Sequence, residues 1–188
     1  IDQTCALMVI EPPFAGSFGY ARTSAHGLPH FQGARFTGAY PFARVDFEDE
    51  TLPVEVSLEA FNPFVPLEVD DSSLPLAVFH YRIRARGPRP VEVALAFSLL
   101  NAVGWNGKDH LGSEQYEGFG GNLNALRDER AGGGRLVGFE MTSSKHWTES
   151  PRHGSLALAT THGEVSALPA WKGTEWFDSF QAWINEFS

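Results

Sequence analysis

From residue 35 onward, apolar and polar positions alternate with a period of two, and prolines and glycines interrupt the runs. The interruptions fall at Pro41, Pro53, Pro63, Pro66, Pro75, Pro88 and Pro90. Successive side chains of a strand point to opposite faces, so strict alternation is the mark of a half-buried strand. Within 53–61, Val54, Val56, Leu58 and Ala60 share one face, and Glu55, Ser57 and Glu59 share the other. Within 76–86, Ala77, Phe79, Tyr81 and Ile83 alternate with Val78, His80, Arg82 and Arg84. Arg86-Gly87-Pro88-Arg89-Pro90 then reads as a turn, and Val91, Val93, Leu95, Phe97 and Leu99 as the returning strand of a hairpin. Further strands are expected over 43–47, 135–142, 155–160 and 164–168. Many short strands with frequent turns predict a mainly β fold, an antiparallel β-sandwich or barrel.

Two stretches break the alternation. Residues 101–134 are rich in Gly, Asn and charge, and read as one long loop of the kind that is functional when it occurs in a compact domain. At the other end, Trp176, Phe177, Phe180, Trp183, Ile184 and Phe187 fall on one side of a 3.6-residue period. Thr174 is positioned as N-cap, with Glu175 and Asp178 beside the positive end of the helix dipole. The expected organisation is therefore a β-sandwich over 1–172 followed by an amphipathic helix over 173–188.

Composition narrows the function classes. A length of 188 residues fits one domain or part of a larger one. Acidic residues outnumber basic ones by 23 to 14, a net charge of -9, which opposes nucleic-acid binding. No run approaches the roughly 20 apolar residues of a transmembrane helix. Cys5 is the single cysteine, so neither an intrachain disulfide nor a CxxC metal site can form, and the compartment stays open.

The candidate chemistry is correspondingly thin. Glycoside hydrolysis needs two carboxyl groups flanking one bond. The available acids are Glu55 and Glu59 on an outward strand face, Asp70 and Asp71 before Ser72-Ser73, and Glu48-Asp49-Glu50 at a hairpin end. They read as solvated strand face and turn chemistry. The seven histidines, among them His110, His146, His153 and His162, show no spacing that aims two imidazoles at one metal. No nucleophile elbow and no phosphate-binding loop occurs, and no cofactor is implied. The segment Trp105-Asn106-Gly107-Lys108-Asp109-His110 joins an aromatic platform to amide, carboxylate and imidazole groups. Trp105, Asn106, Asp109 and His110 suit a sugar contact, a contact with a neighbouring domain, or a plain loop. Trp147 is open to the same readings or to burial in a core.

One set of motifs carries a resemblance. Phe36-Thr37-Gly38-Ala39-Tyr40-Pro41-Phe42-Ala43 is followed by Leu52-Pro53-Val54-Glu55-Val56 and by Glu59-Ala60-Phe61-Asn62-Pro63-Phe64-Val65-Pro66-Leu67. Asp71-Ser72-Ser73-Leu74-Pro75-Leu76-Ala77-Val78-Phe79 comes next, then Ser98-Leu99-Leu100-Asn101 with Gly104, and Thr161-His162 through to Trp171. The chain resembles the N-terminal domain of glycoside hydrolase family 116, the β-glucosidases that include non-lysosomal glucosylceramidase. The resemblance implies a β-sandwich accompanying an α/α barrel in the same protein, whose C-terminal barrel holds both catalytic carboxylates of a retaining mechanism. No residue here matches those catalytic motifs, so none of the acids above inherits a catalytic role. The expected partners are that barrel and, through it, a glucoside or glycolipid substrate; a free-standing carbohydrate-binding module is the alternative. The family's glycine-rich opening is not visible in residues 1–30, and the strands that the resemblance implies after the terminal helix are absent, so the sandwich is expected to be incomplete.

Overall fold

The computed structural model describes residues 30–105 and 120–170. It is mainly β, with two antiparallel sheets, one four-residue helix and no closed barrel among the described residues. The helix expected over 173–188 lies outside them. The chain divides into two units, 1–94 and 95–188, each holding one sheet.

The first unit carries β1 (Gly33–Ala39), β2 (Phe42–Glu48), β3 (Val54–Phe61), α1 (Val69–Ser72) and β4 (Val78–Ala85), with the strands in the order β1-β2-β3-β4. Its register sorts the side chains by sign. Phe36, Val45, Leu58 and Tyr81 stand opposite one another across the four strands, as do Ala34, Phe47, Val56 and Ile83, so one face is wholly apolar. The other face holds Arg35, Arg44, Asp46, Glu48, Glu55, Glu59, His80, Arg82 and Arg84. Ion pairs neutralise that charge across and along the strands: Arg84 on β4 donates to Glu55 on β3 at 2.5 Å, and within β2 Arg44 forks onto both oxygens of Asp46. On the apolar side Phe47 is buried, with Phe31 stacked on it at 4.8 Å.

The β2–β3 connection is a side-chain-tied turn. Asp49, 5% exposed, accepts from the Thr51 backbone N–H at 2.9 Å and from its hydroxyl at 2.6 Å. Arg86 closes the same corner, its guanidinium donating to the Asp49 and Val54 carbonyls and its backbone N–H to the Pro53 carbonyl. This corner corrects the expected hairpin. Residues 91–99 form no strand. The chain leaving β4 is held back at Arg86, and Pro88 and Pro90 have no N–H to give to a ladder.

The second unit carries β5 (Asn122–Ala131), β6 (Gly134–Ser143) and β7 (Leu156–Thr160), in the order β5-β6-β7. The whole of β5 lies where a loop was expected over 101–134. Its centre, Arg127-Asp128-Glu129-Arg130, offers no apolar alternation, and pairing is carried by ions. Arg135 forks onto Asp128 at 2.8 Å, and Arg127 onto Glu140 at 2.7 and 2.9 Å. Gly132 and Gly133 close the β5–β6 hairpin with φ of 58° and 83°, the left-handed pair that a two-residue turn requires. Gly138 is obligatory for a different reason: any Cβ there would run into the Leu158 carbonyl oxygen across the β6–β7 pair. Val137 and Met141 are the buried apolar residues of this sheet. Residues 164–168, expected as a strand, form none; side chains fix that segment, with Arg135 donating to the Gly163 carbonyl and Asn124 to that of Pro169.

Candidate functional site

Of the residues singled out for chemistry, Trp105 and Trp147 fall near one end of the second sheet. Asn101 is the keystone there, 6% exposed. Its amide N–H2 reaches the Leu123 carbonyl at 3.2 Å, the Thr142 carbonyl at 3.1 Å and Asn124 Oδ1 at 2.8 Å. Its Oδ1 accepts from the Val103 backbone N–H at 3.1 Å. Asn122 returns the contact, donating to the carbonyls of Asn101 and Val103, each at 3.2 Å. A buried amide satisfied on both its donor and acceptor sides positions a segment rigidly, because no competing arrangement pairs every group.

That network delivers Gly104 and Trp105 to the β6–β7 connection. Gly104 has φ of 87°, and a Cβ there would lie 2.6 Å from His146 Nε2, so the backbone runs directly beneath the imidazole. Trp105 is half-buried, its backbone N–H donating to the Ala102 carbonyl at 3.0 Å. The chain re-enters at Gly120 and Gly121, both at positive φ. Ser143 Oγ donates to the Gly120 carbonyl at 2.7 Å, and the Ser144 N–H to that of Gly121 at 2.8 Å. Both ends of the connection between 101 and 121 are thus tied to the end of β6.

Trp147 follows on the β6–β7 connection and is 71% exposed, an indole open to solvent rather than part of a core. Its neighbour His146 has a buried Nε2 without a hydrogen-bond partner among the described residues, while its carbonyl lies 3.2 Å from His153 Nδ1. Asn106, Asp109 and His110 lie outside the described residues. The structure therefore places Trp105 and Trp147 at the same end of the second sheet. Asn101 and His146, which organise that end, are not distinguished by periodicity; the signal for Asn101 is an amide ending an apolar run three residues before a glycine.

The acids are placed differently. Glu48, Glu55 and Glu140 each pair with an arginine on a sheet face. Hydrogen bonding from Arg44 holds the Asp46 carboxyl below the usual carboxylate range, and Arg135 does the same for Asp128. The Thr51 hydroxyl lowers Asp49 in the same direction, with support from backbone N–H groups and Arg86. These shifts favour ionised carboxylates, the reverse of what a general acid needs. No group of three or more metal-ligating side chains occurs among the described residues, and no helix among them is long and apolar enough to cross a membrane.

The described residues form two antiparallel sheets, with five of their carboxylates paired to arginines. The family described as "beta-glucosidase 2, glycosyl-hydrolase family 116 N-term" matches residues 15–187, nearly the whole chain. The chain belongs to this family, and membership implies a catalytic domain in the same protein. No curated protein matches the chain.

Proposed function

We propose that this chain is a non-catalytic N-terminal domain of a β-glucosidase-type glycoside hydrolase, supporting a C-terminal α/α barrel that carries the chemistry. In this reading the end of the second sheet bearing Trp105 and Trp147 borders the mouth of the barrel's pocket, where a glucoside or glycolipid enters. The carrying observation is the family match across residues 15–187. The ion-paired carboxylates agree with it, since each lies where a strand face is neutralised rather than where a glycosidic bond could be flanked.

The test is made in the full-length protein with an aryl β-glucoside. Glu55→Gln and Glu59→Gln should keep kcat, whereas Trp147→Ala should raise KM with kcat little changed, as expected of a group that binds without reacting. Loss of turnover in either glutamine variant, in a protein that still melts normally, would place chemistry in this domain. A second reading is favoured by one observation, the solvent-facing indole of Trp147. A sugar-binding module would use it as a stacking platform, and Trp147→Ala would then abolish a saturable fluorescence response of this chain to cellobiose.

A further inference from the structure

The connection from β3 to β4 is tied unusually well for a surface segment. Asn62 donates its amide to the carbonyls of Leu74 at 3.2 Å and Leu76 at 2.6 Å. Ser72 Oγ donates to the Val65 carbonyl at 2.9 Å and accepts from the Val65 N–H at 3.0 Å. Pro63 and Pro66 restrict the backbone between these ties.

At the apex stands Leu67, with φ of 71° and 99% of its surface exposed. The left-handed region crowds Cβ against the following carbonyl, and a bulky residue there is an outlier that the surroundings must enforce. Strain of this kind collects at clamps and contact sites. Here no buried contact of the leucine offsets it. Val69 beside it is exposed as well, and so are Phe64 and Tyr40, whose rings meet edge to face at 5.3 Å. Glu68, Asp70 and Asp71 surround the apex, all exposed and without an ion-pair partner among the described residues.

We propose that this connection is a docking loop and that Leu67 seats in an apolar socket rimmed by basic side chains on the catalytic domain of the same protein. The inference rests on the supporting role proposed above and adds the surface that performs it. The acidic rim selects the occupant. Anionic lipid headgroups would be repelled by Glu68, Asp70 and Asp71, and a second copy of a chain of net charge -9 would bring its own acids to the contact. A basic-rimmed protein socket satisfies both the apolar tip and its collar.

The test uses the full-length protein carrying the photo-cross-linker p-benzoylphenylalanine in place of Leu67, with a second preparation carrying it in place of Trp147. Irradiation followed by peptide mapping should show cross-links from position 67 to a Lys/Arg-containing segment of the catalytic domain within one polypeptide. Cross-links to that domain from position 147 but not from 67 would overturn the docking loop and leave the supporting role standing. None from either position would overturn both. Cross-links from 67 to a second copy, or to added phosphatidylserine vesicles, would overturn the assignment of the occupant. Independently, Leu67→Gly removes the plug and relieves the backbone. It should raise protease cleavage between the domains about tenfold, the scale of losing one leucine's burial. Unchanged cleavage together with a higher melting temperature would show a strained loop with nothing docked on it.

Discussion

The two sheets reach the same antiparallel form by different chemistry. The first sorts most of its residues, one face apolar from Ala34 to Ile83 and the other charged from Arg35 to Arg84 apart from Phe42, Phe61 and Val78 at one end, so alternation largely specifies its register. The second relies on residues that alternation ignores: Gly132 and Gly133 at the hairpin, Gly138 beneath the Leu158 carbonyl, and the amides of Asn101, Asn122 and Asn124. A sheet held by periodic hydrophobicity spreads its specification over many replaceable positions. A sheet held by glycines and amides concentrates it in a few, and those few also place Gly104 beside His146.

That contrast can be broken at its strongest point. Gly138→Val should be the most damaging substitution in the second sheet, because its side chain meets backbone that cannot swing away; a loss on the order of 3 kcal/mol is expected in chemical denaturation. Val56→Ala, at an equivalent central position of the first sheet, should cost less, about 1–2 kcal/mol, since Val56 is only half-buried. If the two losses were equal, the two sheets would not differ as described.

Asn101→Ala should follow, at about 2–3 kcal/mol, because it strands the Val103 N–H and the Asn124 side chain at once. Asn101→Asp sharpens the point: an acceptor-only carboxylate cannot donate to the Leu123 and Thr142 carbonyls, so it should rescue little. Both variants should also alter Trp105 fluorescence, whereas Val56→Ala should not.

Acid titration separates the units more gently. Asp46 and Asp49 in the first unit and Asp128 in the second bind protons less readily in the folded chain than at their ordinary value of 3.8. Their stabilisation is complete above that value and is lost as the pH falls through the lower folded values. Asp49→Asn should therefore flatten the acid limb of the stability curve below about pH 4, leaving the neutral-pH slope unchanged. The smallest effect belongs to Trp147→Ala, which should shift stability by less than about 0.5 kcal/mol at so exposed a position.

This difference between the sheets also explains what could be read from sequence. Both faces of β3 and β4 follow from alternation, residue for residue, because ladder register and side-chain period coincide there. The strand expected over 91–99 fails where Pro88 and Pro90 remove donors and Arg86 anchors the chain to the Asp49 corner. All of β5 was hidden because four consecutive charged residues give no apolar signal, although across the hairpin Arg127 and Asp128 find Glu140 and Arg135. At the candidate site, Trp105 and Trp147 were legible as aromatics in polar loops. That they share one end of a sheet was not, since Asn101 joins segments 22 and 41 residues away.

The central claim, that this domain supports catalysis without performing it, is tested most directly by assaying the purified chain on an aryl β-glucoside while titrating glucose against tryptophan fluorescence. The account expects no turnover and no saturable shift. Turnover by the chain alone that disappears in Glu55→Gln or Glu59→Gln would contradict it.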